Sequence, residues 1–178
     1  MGLLLGLSGS LREGSTNTGL VREIARHWGG DFELADIRFP LFDADLQDRD
    51  GVPAEVQALA QRIAEADAVV ISTPEYNQSL SGVLKNALDW ISRTPTKPWA
   101  DKPVAITAAA AGRSGGARAS YALRLAMTPF NPRLLTREIL LADARNQFDE
   151  DGRLISERYE AQVVTLVEAL RDEVARSA

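Results

Sequence analysis

The sequence predicts a doubly wound α/β fold: a five-stranded parallel sheet in the order 2-1-3-4-5 with helices on both faces. Three observations carry the prediction. Short apolar runs at residues 3–7, 67–73 and 104–110 read as strands buried on both faces. They alternate strictly with segments of helical periodicity, which right-handed crossovers assemble into a parallel sheet. The first, third and fourth strands each lead into an unusual loop rich in glycine or small polar residues. In the 2-1-3-4-5 order those strands are neighbours, so their loops converge on one crevice at the strand C-termini, where such sheets bind ligands.

The elements follow in order. Residues 3–7 form the first strand. Leu20, Val21, Ile24, Ala25 and Trp28 then recur at helical spacing from Asn17 onward, and Gly29-Gly30 stops them. Residues 31–37, DFELADI, alternate and read as the second strand. Residues 39–53, FPLFDADLQDRDGVP, are expected to be a turn-rich loop. Pro53 opens a helix with Val56, Leu59, Ala60, Ile63 and Ala64 on one face.

Residues 67–73, DAVVIST, are the clearest buried strand, followed by the loop PEYNQSLSG and a helix marked by Leu84, Leu88 and Ile91. TPTKPWADKP is a proline-punctuated connection to the fourth strand, VAITAAA at 104–110. The loop AGRSGG leads into a helix with Ala119, Ala122, Leu123 and Ala126 on its face. Residues 134–141 are expected as the last strand, and Tyr159, Val163, Leu166, Val167, Leu170 and Val174 line a final amphipathic helix. No repeat or low-complexity segment interrupts the pattern, so residues 1–178 read as a single domain.

Composition narrows the chemistry. Apolar residues make up 45% and charged residues 25%, as in ordinary soluble domains. The formal charge of −5 and the lack of a lysine–arginine block argue against nucleic acid as a partner. The chain has no cysteine and one histidine, His27. That closes off disulfides, thiolate chemistry, metal sites built on cysteine or histidine, and serine–histidine triads. No apolar run approaches the ~18 residues of a membrane span, and no basic region precedes the first apolar run as in a secretory signal. No membrane partner is expected, and the expected location is cytoplasmic.

The first loop, GLSGSLREGSTNTGL at residues 6–20, points to an anion. It is neither a Walker loop nor a GxGxxG fingerprint. Its Ser8, Ser10, Ser15, Thr16, Asn17 and Thr18 are neutral polar groups beside helix N-terminal amides, and a helix N-terminus carries roughly half a positive charge. Arg12 adds a planar fork of donors suited to phosphate. A bland alternative makes Ser15 or Thr16 only an N-cap. A response-regulator reading of the same strand order fails, because Leu7-Ser8-Gly9 and Ser72-Thr73-Pro74 stand where it needs carboxylates.

The second loop makes a resemblance specific. GSLREGSTN with PEYNQSLSGVLKNALDW, their spacing, GRSGGARA and the element order resemble the NADPH-dependent FMN reductase family of flavodoxin-like proteins, which includes chromate, quinone and azoreductase-type enzymes. The resemblance implies a flavodoxin-like three-layer sandwich. It also implies FMN as cofactor and NADPH or NADH as co-substrate. It places Ser10, Arg12, Ser15, Thr16 and Asn17 in the FMN-phosphate loop. Pro74, Glu75, Tyr76 and Asn77 would run beside the isoalloxazine ring, with Ser79 and Lys85 in support. Gly112, Arg113, Ser114 and Gly115 would lie on the flavin's far side. Gln78 departs from the family pattern, standing where glycine is frequent, and alanines enter the third loop where a hydroxyl residue is common.

The physics of the second loop agrees. A flavin ring needs a flat apolar wall and backbone donors at fixed positions, which a tight loop at a strand end supplies. Pro74 stiffens the loop, and Tyr76 offers aromatic surface with a polar tip. Lys85 and Asp89, at i,i+4 spacing, fit equally a surface ion pair. No side chain is assigned as a catalytic group, because the cofactor carries the chemistry. The expected activity is hydride transfer from NAD(P)H through flavin N5 to a small-molecule acceptor such as free flavin, a quinone, an azo compound or chromate. A flavodoxin-type electron carrier and a flavin-binding regulatory module without turnover are the alternatives. The resemblance implies a homodimer or homotetramer. Leu80, Val83 and Trp90 are expected to lie off the helix's core face and make the subunit contact.

Overall fold

Strands rich in Leu, Val and Ile need cover on both faces, and that requirement organises the molecule. The computed structural model describes residues 2–176. β1 (Leu4–Ser8), β2 (Phe32–Ala35), β3 (Ala68–Thr73), β4 (Pro103–Ala109) and β5 (Arg133–Leu134) form a parallel sheet in the order β2-β1-β3-β4-β5. β6 (Ile139–Leu141) also pairs with β4. The predicted order therefore stands, but the predicted strand at 134–141 is split. β5 pairs with the start of β4 and β6 with its end, Val104 opposite Leu134 and Thr107 opposite Ile139. Between the halves Glu138 turns to α5 (Ala117–Met127), accepting from Ser120 Oγ at 2.6 Å and pairing with Arg124 at 3.4 Å. A carboxylate drawn to those partners cannot also sit in a buried ladder.

The strand alternation sorts two cores. Leu5, Leu7, Val69, Ile71, Val104 and Ile106 pack under α3 (Ala54–Glu65), α4 (Gly82–Ile91) and α5. Leu4, Ala68, Val70 and Ala105 pack under α1 (Thr16–Trp28) and α6 (Glu157–Ala175). Successive side chains of a strand point to opposite faces, so a parallel strand buried on both has no polar side to spare.

Three expectations need correction. Within residues 39–53 lies a helix, α2 (Ala44–Asp50), capped by Asp43, whose carboxylate accepts from Asp45 N at 2.9 Å. It buries no residue, so no apolar period announced it. Ala64 on α3 is exposed, because it falls past the edge of the stripe that Val56, Ala60 and Ile63 define. Trp90 is not on a subunit surface: it is 0% exposed, and its Nε1 donates to the Pro40 carbonyl at 2.8 Å. Phe42 meets its ring edge-on at 5.1 Å, and Asn86, one turn earlier, donates to the same Pro40 carbonyl at 2.9 Å. The strap before α2 thus covers the helix face proposed for a contact, and Leu80 and Val83 pack on the same core. Trp99 is likewise a buried anchor, 1% exposed.

One buried side chain ties α1 to the sheet. Asn17, 3% exposed, accepts from Ser72 Oγ at 2.8 Å and from Ala109 N at 3.0 Å. Its Nδ2 donates to the Ala109 carbonyl at 3.0 Å. Asn17→Ala removes all three bonds and leaves the Ser72 hydroxyl and the Ala109 amide unpaired. It is expected to cost about 2–4 kcal/mol, read by denaturant unfolding. Asn17→Asp should lose a similar amount, because a carboxylate cannot donate to the Ala109 carbonyl.

Candidate cofactor cleft

The three loops after β1, β3 and β4 enclose a cleft of about 510 Å³ at the strand C-termini. That lies within the range of small-molecule and cofactor sites.

Its first wall is the β1–α1 loop. Ser15 is the N-cap of α1, and its hydroxyl accepts from Thr18 N at 3.3 Å. Ser15 is thus an N-cap, and it also lines the cleft. Thr16 and Asn17 open the helix, so their N–H groups have no partner within it and lie at the positive end of its dipole. Ser10, Arg12, Gly14, Ser15, Thr16 and Asn17 all line the cleft. The Asn17 side chain is committed to Ser72 and Ala109, which leaves its backbone N–H as the group it can offer. Thr18 Oγ1 donates to Ser8 Oγ at 2.8 Å and braces the loop from beneath. Arg12 is exposed at the rim.

The second wall is a tight hairpin. Tyr76 and Ser79 exchange both backbone bonds, each at 3.1 Å, around Asn77 (φ 49°) and Gln78 (φ 64°). Two central residues with positive φ define a type I′ turn, which favours Asn-Gly. Gln78 therefore holds a left-handed position that glycine would adopt without Cβ strain. Pro74, Glu75 and Tyr76 line the cleft, while Asn77 and Ser79 close the hairpin outside it. Glu75 staples this wall to the third. Its carboxylate accepts from Arg118 N at 3.1 Å, in the first turn of α5, and pairs with the Arg118 guanidinium at 3.3 Å. Lys85 pairs with Asp89 at 2.6 Å on the surface and does not line the cleft, so the ion-pair reading holds.

The third wall is apolar: Ala109, Ala110 and Ala111 line it. Gly112, Arg113, Ser114 and Gly115 stand just beyond the lining. Gly115 has a structural task. With φ at 61°, a Cβ there would lie 2.5 Å from the Leu140 carbonyl, so β6 approaches only because the side chain is missing. The sequence reading did not include Ala144 and Arg145, which also line the cleft. Ala144 N donates to the Ala110 carbonyl at 3.1 Å, which seats Arg145 beside the end of β4. The signal was a cation just past the last strand, where strand ends feed the crevice. No motif marked it.

Gln78→Gly should stabilise the protein by about 0.5–1 kcal/mol, seen as a raised thermal midpoint, because glycine adopts the left-handed conformation without Cβ strain. Gln78→Val should lower it.

Comparison with known proteins agrees with this geometry. Residues 3–146 match the NADPH-dependent FMN reductase family. The chain is 41% identical over 172 residues to an NAD(P)H-dependent FMN reductase of Pseudomonas aeruginosa, covering 94% of this chain and 92% of that protein. It is 50% identical over 124 residues to a quinone reductase of Escherichia coli, which is 66% of this chain and 65% of that protein. Among solved structures, FerB, a flavoenzyme NAD(P)H:(acceptor) oxidoreductase from Paracoccus denitrificans, aligns with a TM-score of 0.87 at 28% identity, over 98% of this chain and 97% of that one. By a match running through all three cleft loops and by its sheet order, this chain belongs to the NADPH-dependent FMN reductase family.

Proposed function

We propose that this protein is an FMN-dependent NAD(P)H oxidoreductase that reduces a small-molecule acceptor: free flavin, a quinone, an azo compound or chromate. The observation that carries the proposal is the pairing of two kinds of wall in one cleft. At the α1 end stand the Thr16 and Asn17 N–H groups, the Ser10 hydroxyl and Arg12, a donor set suited to a terminal phosphate, and Arg145 adds a cation to the same cleft from beside the end of β4. Between the second and third loops, Pro74 and Tyr76 face a wall of alanines, which suits a flat ring. The residues therefore fit FMN. The FMN and quinone reductases among its relatives support the acceptor class.

When bound, FMN would supply the redox chemistry, hydride transfer from NADPH or NADH to the acceptor. The chain's own residues bind and orient. Arg12 and the α1 N-terminus hold the phosphate end. Pro74 and Tyr76 hold the ring, and the Glu75–Arg118 staple holds the spacing between the two ring walls. Backbone N–H groups of the third loop are the donors proposed for negative charge near the cofactor's N1 and O2. Gly112, Arg113 and Ser114 act in this reading through the backbone, while the Gly115 N–H donates to the Gly112 carbonyl and closes the loop. A cytoplasmic location and assembly as a homodimer or homotetramer belong to the same reading. Light scattering measures the assembly, and Trp90 takes no part in it. Among the described residues no helix is long and apolar enough to cross a membrane.

NADPH consumption by purified protein with added FMN and a quinone is the test. Turnover supports the reductase; FMN binding without NADPH consumption would return the protein to a carrier or regulatory role. Flavin released by heat should run as FMN, and stoichiometric FAD would contradict the cleft's assignment. Arg12→Ala should raise the FMN dissociation constant about ten- to hundredfold, the loss of one charge-assisted bond, with little change in turnover at saturating FMN.

A further inference from the structure

The cleft holds one cation that the binding of the cofactor leaves without a task. Among the described residues three charged side chains line it: Arg12, Glu75 and Arg145. Arg12 belongs to the phosphate loop, and Glu75 is spent on Arg118. The Arg145 side chain is exposed and, among the described residues, has no ion-pair partner. The carboxylates nearest to it along the chain are turned elsewhere. Asp143 accepts from Asn146 Nδ2 at 3.0 and 3.1 Å. Asp149 accepts from the backbone N–H groups of Asp151 at 3.0 Å and Arg153 at 2.7 Å. Neither lines the cleft.

The segment that carries Arg145 is pinned on both sides. Asp143 turns the chain with φ at 49°, a left-handed conformation that aspartate tolerates better than most residues. Ala144 N then donates to the Ala110 carbonyl at 3.1 Å. Beyond Arg145 the chain closes a hairpin, with Ile155 N donating to the Gln147 carbonyl at 3.0 Å and Phe148 paired with Leu154. Helix α1 holds that hairpin. Glu23, 1% exposed, accepts from Leu154 N at 3.4 Å and pairs with Arg153 at 3.6 Å. Phe148 packs over Gly19, one turn before Glu23, where a Cβ would stand 3.3 Å from its ring. A side chain on a segment anchored in this way is a fixed feature of the cleft.

We propose that Arg145 selects the electron acceptor, giving the enzyme a preference for aromatic acceptors that carry a sulfonate or carboxylate. The inference rests on the proposed function and names the acceptor within it. Arg145 enters beside the end of β4, next to the alanine wall. Tyr76, 51% exposed, stands on the hairpin wall of the same cleft. An aromatic ring with an anionic substituent matches that pair: the ring meets the tyrosine and the anion meets the guanidinium. Because the guanidinium is exposed, it reaches a molecule that enters from solvent and leaves again. Glu75 is already paired, so no free carboxylate of the lining opposes it, and a concave positive site concentrates anions. The reaction itself is unchanged. NAD(P)H, a proton and a quinone give NAD(P)+ and the hydroquinone, and the acidic substituent keeps its charge throughout. Arg145 therefore acts on acceptor binding and not on electron transfer.

The test separates binding from turnover. Naphthalene-2-sulfonate and its neutral counterpart naphthalene-2-sulfonamide, neither of them an electron acceptor, are titrated by calorimetry into FMN-loaded protein. The sulfonate should bind about tenfold more tightly, the scale of one charge-assisted bond. Arg145→Ala should erase the difference, and Arg145→Lys should keep part of it. In steady state Arg145→Ala should lower the ratio of kcat/KM for 1,2-naphthoquinone-4-sulfonate over 1,2-naphthoquinone about tenfold, through KM for the sulfonate. Comparing that ratio between variants cancels the intrinsic reactivity of the two quinones. Added salt should lower the ratio in the wild type and leave it unchanged in the variant. Equal binding of the two naphthalenes by the wild type, or an unchanged quinone ratio in Arg145→Ala, would overturn the proposal. A variant that binds FMN about tenfold more weakly but riboflavin as before would put Arg145 on the cofactor phosphate, and would also overturn it. A wild type that oxidises neither NADPH nor NADH overturns the proposed function instead, and the naphthalene titration still reads Arg145 on its own.

Discussion

The structure depends on one buried amide. Asn17 spans the gap between β3 and β4, tied to Ser72 on one and to both backbone groups of Ala109 on the other. Each of those groups, left unpaired inside the protein, would cost more than its bond contributes, so only one placement of the first turn of α1 satisfies all of them. That placement aims the positive end of the helix into the cleft. It also sets where the other two loops begin, since β3 ends one residue after Ser72 and β4 ends at Ala109. All three walls are thereby referenced to a single side chain.

Around that anchor the walls differ in stiffness. The third loop is held by close approach, with Gly115 against the Leu140 carbonyl and Glu75 capping the first turn of α5. The hairpin of the second loop stores strain instead, with two non-glycine residues at positive φ on its exposed tip. Strain at the tip of a short, closed hairpin is tolerated because the Tyr76–Ser79 pair and the buried Pro74 over-determine its base. The ring wall is therefore rigid where it meets the cleft.

Charge is arranged by consumption. The carboxylates near the strand ends are spent on structural partners: Glu75 on Arg118, Glu138 on Arg124, Asp36 on Arg38. Arg12 and Arg145 are left facing the crevice. An acidic chain thus presents a locally positive entrance, and a concave positive site in low-dielectric walls concentrates anionic ligands.

The sequence by itself determined the layers and the strand order. Uninterrupted apolar runs and helical periods are local signals, and a parallel sheet has few ways to bury them. The first loop's polar residues were legible from loop chemistry after a strand, and Pro74, Glu75 and Tyr76 from the family resemblance of their motif; all of these walls line the cleft. Tertiary structure alone decided the rest. Trp90 looked like a leftover apolar residue because its cover, Pro40 and Phe42, lies about fifty positions away in the chain. Helix α2 has no apolar stripe to announce it, with only Leu46 partly buried against the core, and the last strand split because Glu138 found partners on α5. Arg145 carries no motif. It joins the site only when β6 is laid beside the strand it flanks, and proximity of that kind is set by the sheet, not by spacing along the chain.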